Sequence, residues 1–538
     1  MLVMKRKMVS ALTLTLLFIG MLTLAFNIQP VKAEFSEPPD TEWNKTYGGT
    51  DYDSPYSVVQ TNDKGYAIAG YTYSFGTGSY DLWLVKTDAS GNMQWNRTYG
   101  GTGGEEADSV VQTTDGGYAL AGSTDSFGAG GVDVWLVKTD WAGNMQWNKT
   151  YGGASSDWAS SVVQTSDGGY AIAGETYSFG AGDGDFWLVK TDSAGTMQWN
   201  KRYDRTPFEI TFYSDSAFSV VQTSDGGYAI AGGTGPFALP DVDFWLVKTD
   251  AAGTMQWNKR YGGTNWDVAY SVVQTSDGGY AIAGVTESFG AGYKDFWLVK
   301  TDSAGTMQWN KTYGEGSWDA AHSVVQTNDE GYALVGETLS YRPERSHFDF
   351  WLVKADENGN MQWNKTYGGT DDDRAYSVVQ TSDGGYAIAG GTESFGAGHG
   401  DFWLIKLAGL SATISPLSAS TLVDQSVTFT STVSGGYTPY SYKWYLNGNP
   451  VSGATSASWT FTPTTSGIYY IHLKVTDAKA NTAQSDTARI TVATVPVGGY
   501  SFPIQVTTKA EPVLPYIALI ATLTAILTKL RPKTKRKH

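Results

Sequence analysis

Four residues before each Ser-Val-Val in this chain stands an acid: Asp53, Glu105, Asp157, Asp215, Asp267, Asp319 and Asp373. Carboxylates in a circle suit a hard cation, since calcium takes about six to eight oxygens. If they ring one mouth, calcium is the implied cofactor. In seven similar loops the same acids would serve as Asx-type turns. A second set is aromatic. Trp158, Trp266 and Trp318 fall at nearly one loop position, joined by Phe208, Tyr213 and Tyr293 in loops expected on the same face. Exposed rings stack on sugar faces while neighbouring Asp and Asn take hydroxyls; the other role for such tryptophans is packing between repeats. Arg342, Arg345 and His347 lie in an insertion and join the binding candidates.

No catalytic residue is assigned. The chain holds five histidines, and His322, His347 and His399 stand in different repeats with no visible partner. No G-x-S-x-G, H-E-x-x-H or phosphate-binding loop is present. A glycosidase needs only two carboxylates about 5–10 Å apart, so a polysaccharide hydrolase of endoglucanase type is the alternative reading. Near-identical repeats argue against it, because an active site breaks symmetry. Five N-x-T acceptors, Asn44, Asn96, Asn148, Asn310 and Asn364, are candidates for glycosylation. Asn200 and Asn258 are not, since Arg202 and Arg260 replace the Thr.

These residues are carried by one repeat, S-V-V-Q-T-x-D-x-G-Y-A-I-A-G … D-x-W-L-V-K-T-D-x-x-G-x-M-Q-W-N-K-T-Y-G-G. Its copies are anchored at Gly65, Gly117, Gly169, Gly227, Gly279, Gly331 and Gly385, with steps of 52, 52, 58, 52, 52 and 54 residues. A period near fifty without helical patterning marks stacked small sheets. Alternation and turn signals predict four strands per copy, the unit of a β-propeller. Asp81 and its equivalents are expected to satisfy backbone N–H groups, and Asp63 and Asp88 to form turns. The N-terminal part supplies only a fourth strand, around Trp43–Tyr47, and the last copy stops after its third. The expected fold is therefore all-β: a seven-bladed propeller closed by the N-terminal strand, with sheet edges hidden by closure. Length variation falls in the 2–3 loops and between-blade connections, at Asp204–Tyr213, Gly235–Pro240 and Tyr341–His347. That face is the one free to specialise.

Residues 1–33 read as an export signal, with Lys5, Arg6 and Lys7 before an apolar run. The propeller is expected over 34–408 and a small β-sandwich over 409–495. A stalk follows at 496–512, then one transmembrane helix at 513–530 and a basic cytoplasmic tail at 531–538. This predicts a single-pass cell-membrane protein with propeller and sandwich outside. The absence of cysteine excludes thiol catalysis, disulfides and thiolate metal sites. A net charge of −16 argues against nucleic acid and anionic lipid as partners.

In the second module, Y-K-W-Y-L-N-G followed by S-G-I-Y-Y-I-H-L-K-V-T-D resembles immunoglobulin-like and PKD domains of surface proteins. The D-G-G-Y-A-I-A-G and W-L-V-K-T-D-x-x-G units resemble a family of exported prokaryotic, often archaeal, propeller-repeat proteins, over all seven copies. The resemblance implies surface location and binding, with occasional association with polysaccharide degradation. The expected function is a membrane-anchored surface protein for binding or adhesion. Its propeller would meet a glycan or a surface protein.

Overall fold

The computed structural model describes residues 38–180, 184–204, 213–236, 241–339, 347–435, 439–478 and 482–494. The described residues are all-β and repeat-rich. Among the described residues, twenty-eight strands up to Leu407 pair into seven antiparallel four-stranded sheets. In the first sheet they are Asp53–Gln60, Tyr66–Thr72, Asp81–Thr87 and Met93–Tyr99. The first strands of successive sheets are neighbours at the centre, and the W-N-x-x-Y strands lie outermost.

Alternation along the second and third strands explains the stacking. Tyr66, Ile68, Trp83 and Val85 face the seventh sheet, against Ala387, Ala389, Phe402 and Leu404. Ala67, Ala69, Leu82 and Leu84 face the second sheet, against Tyr118, Leu120, Trp135 and Val137. The large face of each sheet thus meets the alanine-bearing face of the one before it, which lets the two backbones approach closely. Burial on both faces explains why every residue of Asp81–Thr87 is buried.

Polar ties recur at each junction. The Val110 amide donates to Ser57 Oγ at 3.2 Å, and the Asn62 amide to Gln112 Oε1 at 2.8 Å. The first and seventh sheets are tied alike, Val58 N to Ser377 Oγ at 3.2 Å and Ser382 N to Gln60 Oε1 at 2.8 Å. Within each sheet the lysine of W-L-V-K is buried. Lys86 Nζ meets Asp63 Oδ2 at 2.9 Å and donates to the Thr87 carbonyl at 2.6 Å. Asp63 is a turn former, as expected, and also the counter-ion of that lysine.

Two expectations are corrected. The propeller closed by the N-terminal strand is not what the hydrogen bonding makes. Among the described residues no sheet is closed, and ladders stay within each four-stranded sheet. Thr41–Tyr47 is the outer strand of the last sheet, beside Asp401–Leu407, Tyr386–Thr392 and Asp373–Gln380. Sheets meet face to face through side chains and isolated backbone bonds, such as Glu105 N to the Tyr80 carbonyl at 2.9 Å, so each keeps an inner and an outer edge that closure was expected to hide. The second correction concerns the membrane. There is no helix among the described residues, and none is long and apolar enough to cross a membrane. The single-pass topology and transmembrane helix are corrected accordingly. The segments on which they rested, 1–33, 496–512, 513–530 and 531–538, lie outside the described residues.

After Leu407 the chain forms two further sheets around a shared core. Ser411–Ser415, Val427–Ser434 and Ser458–Phe461 make one; Gly467–Thr476 and Ser441–Leu446 lie in the other. Phe429, Trp444, Ile471, Leu473, Val475 and Ile490 fill the space between. Trp444 Nε1 donates to the Ser456 carbonyl at 2.9 Å, so the buried indole is satisfied without a neighbouring disulfide. Asn447 and Gly448, at φ of 50° and 80°, make the tight hairpin turn.

Candidate functional site

Each first strand carries one residue too many for its partner. Pro55 pairs with Gly70 and Ser57 with Ala69, so Tyr56 bulges from the ladder. The same skip occurs in the other six sheets at Asp108, Ser160, Phe218, Tyr270, His322 and Tyr376. A bulge turns its side chain out of the pleat and kinks the strand. The kink drives a carbonyl onto the partner strand. A Cβ on Gly70 would stand 2.0 Å from the Ser54 carbonyl oxygen, and the equivalent glycines are as tight. The glycine of A-I-A-G is fixed by the bulge, while the bulged residue is free to vary.

The bulged side chains meet along the central strands. Ring centroids are 5.1 Å apart for Phe218 and Tyr270, 5.2 Å for Tyr270 and His322, and 5.3 Å for His322 and Tyr376. Tyr376 and Tyr56 are 5.5 Å apart. Five rings in contact, with Asp108 and Ser160 at the remaining two positions, line the centre of the sheet array. Sequence reasoning missed this set. Its signal was available: the residue before Ser-Val-Val takes five identities in seven copies while its neighbours largely repeat.

The mouth above these bulges has three distinct sectors. Over the first two sheets Tyr52, Tyr71, Tyr73 and Tyr80 cluster beside Glu106 and Asp108. Tyr73 and Tyr80 are 5.2 Å apart, Tyr71 and Tyr80 5.4 Å. Burial, then Glu106, pushes the Tyr80 hydroxyl up to about 12. Burial also raises Glu106 and Asp108, and the Glu106 charge adds to the effect on Asp108. Over the fifth and sixth sheets an apolar wall of Val268, Val285 and Ala320 packs with Trp266 and Trp318. The third sector is charged. Arg374 reaches Asp372 at 2.7 Å and Glu337 at 3.1 Å, and its guanidinium lies 4.5 Å from the Phe348 ring centroid.

The tryptophans expected to stack on sugar are only partly brought together. Trp266 and Trp318 enclose Lys294, whose Nζ lies 4.0 Å and 3.9 Å from their ring centroids and 3.3 Å from Glu287 Oε1. Trp318 Nε1 also donates to Glu337 Oε1 at 3.2 Å. Trp158 sits in a different sheet, edge-on to Tyr177 at 5.5 Å. It follows its acid, whereas Trp266 and Trp318 precede theirs. Tyr293 is 63% exposed and 5.9 Å from Trp318. His347 is exposed, with Nδ1 3.5 Å from Asp372. Phe208, Arg342 and Arg345 lie outside the described residues, as does the side chain of Tyr213.

The seven acids are buried and work locally. Asp53 accepts from the Thr72 hydroxyl, from Gly49 N at 2.8 Å and from Ser74 Oγ at 2.8 Å. Glu105 does likewise, from Gly101 N at 2.8 Å and Thr124 Oγ1 at 2.9 Å. Asp157, Asp267 and Asp373 keep the same pattern, each accepting from the amide four residues earlier. Asp215 and Asp319 are equally buried. Among the described residues no group of three or more His, Asp or Glu could hold a metal. Each acid instead pairs with the Asp that opens the third strand of the preceding sheet. A Cβ on Gly100 would come within 1.9 Å of Asp81 and 2.5 Å of Glu105. Burial and the Glu105 charge raise Asp81.

One junction departs from that rule. Asp204 stands where the other copies have the glycine. Burial and a hydrogen bond shared with Asp204 push Asp185 up to about 8, and Arg202 reaches Asp204 at 3.1 Å.

The sequon asparagines have a structural task. Asn96 Oδ1 accepts from the buried Trp83 Nε1 at 3.3 Å. Asn148, Asn310, Asn364 and Asn44 accept from Trp135, Trp297, Trp351 and Trp403. Asn200 and Asn258 do the same for Trp187 and Trp245, which explains why Asn persists where the sequon does not. All five lie on outer strands, four exposed and Asn364 half-buried.

No family model matches the chain. The regulatory protein FlaEY of Caulobacter vibrioides is 28% identical over 244 residues, which is 42% of this chain and 23% of that protein. The chain therefore spans less than a quarter of the length of the curated relative it matches. The extracellular domain of the hybrid two component system BT3049 from B. thetaiotaomicron aligns at 12% identity. The alignment covers 82% of this chain and 68% of that one, with a TM-score of 0.29. Sqt1 from Chaetomium thermophilum also aligns at 12% identity, over 85% of this chain and 99% of that chain, with a TM-score of 0.38. Similarity at that level carries no function over to this chain.

Proposed function

We propose that this chain is a binding protein that takes a glycan or a protein partner at the mouth lined by the bulged residues. One observation carries this reading. The frame is repeated almost unchanged, and its variation converges on that mouth, at the bulges and at the cross-strand pairs beside them. Those pairs are Ser54–Tyr71, Glu106–Ser123, Trp158–Glu175, Ser216–Gly233, Val268–Val285, Ala320–Glu337 and Arg374–Gly391. A packing requirement would keep these positions alike, as it does in the strands around them. Residues 409–495 fit an immunoglobulin-like or PKD-like spacer that presents the array.

The hydrolase alternative is less well served. The junction carboxylates are buried and accept hydrogen bonds from their own loops, so they do not stand open across a glycosidic bond. The full chain should be passed over a polysaccharide panel and a panel of immobilised surface proteins, with retention and reducing-end release scored together. Retention without release, lost on changing Tyr71 and Tyr376 to Ala, is the expected result. Steady release of reducing ends would make the protein a hydrolase, and retention by nothing would remove the binding reading.

A further inference from the structure

We infer that the tyrosine sector of the mouth seats the lysine or arginine side chain of a protein partner, an inference that rests on the binding reading above. Five rings converge there. Tyr71 is the hub, 6.2 Å from Tyr52, 5.7 Å from Tyr56, 5.9 Å from Tyr73 and 5.4 Å from Tyr80. The Tyr80 ring lies against Gly104, where an added Cβ would come within 2.4 Å of it. Tyr73 is 48% exposed, so the cluster is open to a ligand. Aromatic faces attract cations, most strongly where water is partly excluded.

The carboxylates beside these rings lack a positive partner. Among the described residues neither Glu106 nor Asp108 forms an ion pair; Glu106 Oε1 accepts only from Ser123 Oγ, at 3.0 Å. Two neighbouring acids held in partial burial are costly unless a cation joins them. Burial raises both, the direction expected of acids without a counter-charge.

The mouth already houses two cations of its own in this manner. Lys294 sits between Trp266 and Trp318 with Glu287 at 3.3 Å, and Arg374 sits on Phe348 between Asp372 and Glu337. The repeat makes the first comparison exact in position. Tyr52, Tyr73 and Tyr80 hold the places that Trp266, Glu287 and Lys294 hold four sheets later. Where the fifth sheet supplies its own lysine, the first supplies another ring, and the acids come from the second sheet. The aromatic and acidic walls are present and the cation is left to a partner. A chain of net charge −16 also draws basic partners toward it.

The test uses the full chain and a fluorescent lysine-bearing Gly-Ser decapeptide, read by anisotropy at physiological salt. Its arginine, Nε-acetyl-lysine and norleucine counterparts serve as probes of charge. The lysine and arginine peptides should bind, and the acetyl-lysine and norleucine peptides at least tenfold more weakly. Glu106→Gln with Asp108→Asn should weaken the lysine peptide about tenfold, and Tyr73→Ala about fivefold. Asp88→Asn with Asp140→Asn, on exposed turns at the other end of the sheets, should leave it unchanged. Unchanged melting temperature will show that the variants are folded. Equal loss in both carboxylate pairs would mean diffuse attraction and overturn the inference, as would equal binding of the acetylated peptide. Retention of a neutral glycan with no response to any peptide would overturn it while leaving the binding reading. Failure of every glycan, peptide and protein would end both.

Discussion

The Val58 amide donates to the Ser377 hydroxyl at 3.2 Å although 319 residues separate them. This is the same contact that Val110 makes with Ser57. The first and seventh sheets are thus joined on the terms that join the first and second. Ser377→Ala should lower the melting temperature by roughly 2 °C, as one net hydrogen bond of about 1 kcal/mol implies. Ser57→Ala should do the same in a thermal scan. A much larger effect at Ser377 would mean that this junction is special.

Removing Thr41–Tyr47 should do far more. It strips the last sheet of its outer strand and the Trp403 indole of its Asn44 acceptor at 3.4 Å. The buried strand Asp401–Leu407 becomes an edge open to pairing with other chains. Size exclusion should show aggregation. An unchanged monodisperse peak would contradict this account of the N-terminal strand.

Acid sensitivity follows from the lysine–aspartate ties. Burial opposes ionisation of Asp115 and Asp167, yet hydrogen bonds from a threonine and a lysine outweigh it and hold each at about 2. A depressed carboxyl stabilises the fold above its unfolded value of about 3.9 and loses that contribution as pH falls through the folded value. The contribution of these ties to the melting temperature should therefore be flat above about pH 5 and drop between about pH 4 and 2. Lys138→Met should melt lower at pH 7, with the gap narrowing toward pH 2. A constant gap would show that the pair contributes packing alone.

Asp185 runs the other way. With its folded value near 8, its contribution is present below the unfolded value and is lost as pH rises toward 8. Asp204→Gly restores the residue found at this point in the other six copies and removes the group that shares the Asp185 proton. Relative to the parent, the variant should gain stability at pH 8 and change little at pH 4. Parallel stability curves for the two proteins between pH 4 and 8 would refute this.

Calcium at millimolar concentration should leave the melting temperature within about 1 °C, because the junction acids already receive hydrogen bonds from their own loops. A rise of several degrees would reinstate a cation site.

How much of this was legible depended on distance along the chain. Strand positions, turns and the opposition of Tyr66 and Ile68 to Ala67 and Ala69 were readable, because period-two alternation is local. The partner of Lys86 was not, since Asp63 looks complete as a turn former and the contact forms only when strands pair. For Trp266 and Trp318 sugar stacking and packing between repeats both stayed open, because nothing near them in sequence announces Lys294 between their rings. The bulges left a trace in the variable residue before Ser-Val-Val, but a one-residue slip in pairing has no composition of its own. Closure was over-read. Complementary strand counts do place Thr41–Tyr47 in the last sheet, yet they cannot distinguish sheets that share ladders from sheets that only pack.

The glycine opposite each bulge has a consequence for how such a protein can change. It absorbs the whole geometric demand of the kink, so the bulged residue answers to no neighbour in its own ladder. Recognition and architecture are thereby written in different positions. Seven addresses at the centre can be rewritten without disturbing the strand ladders, while the five rings that touch one another answer to each other. A lineage built on this repeat could exchange partners by point substitution, with no new loop and no loss of fold.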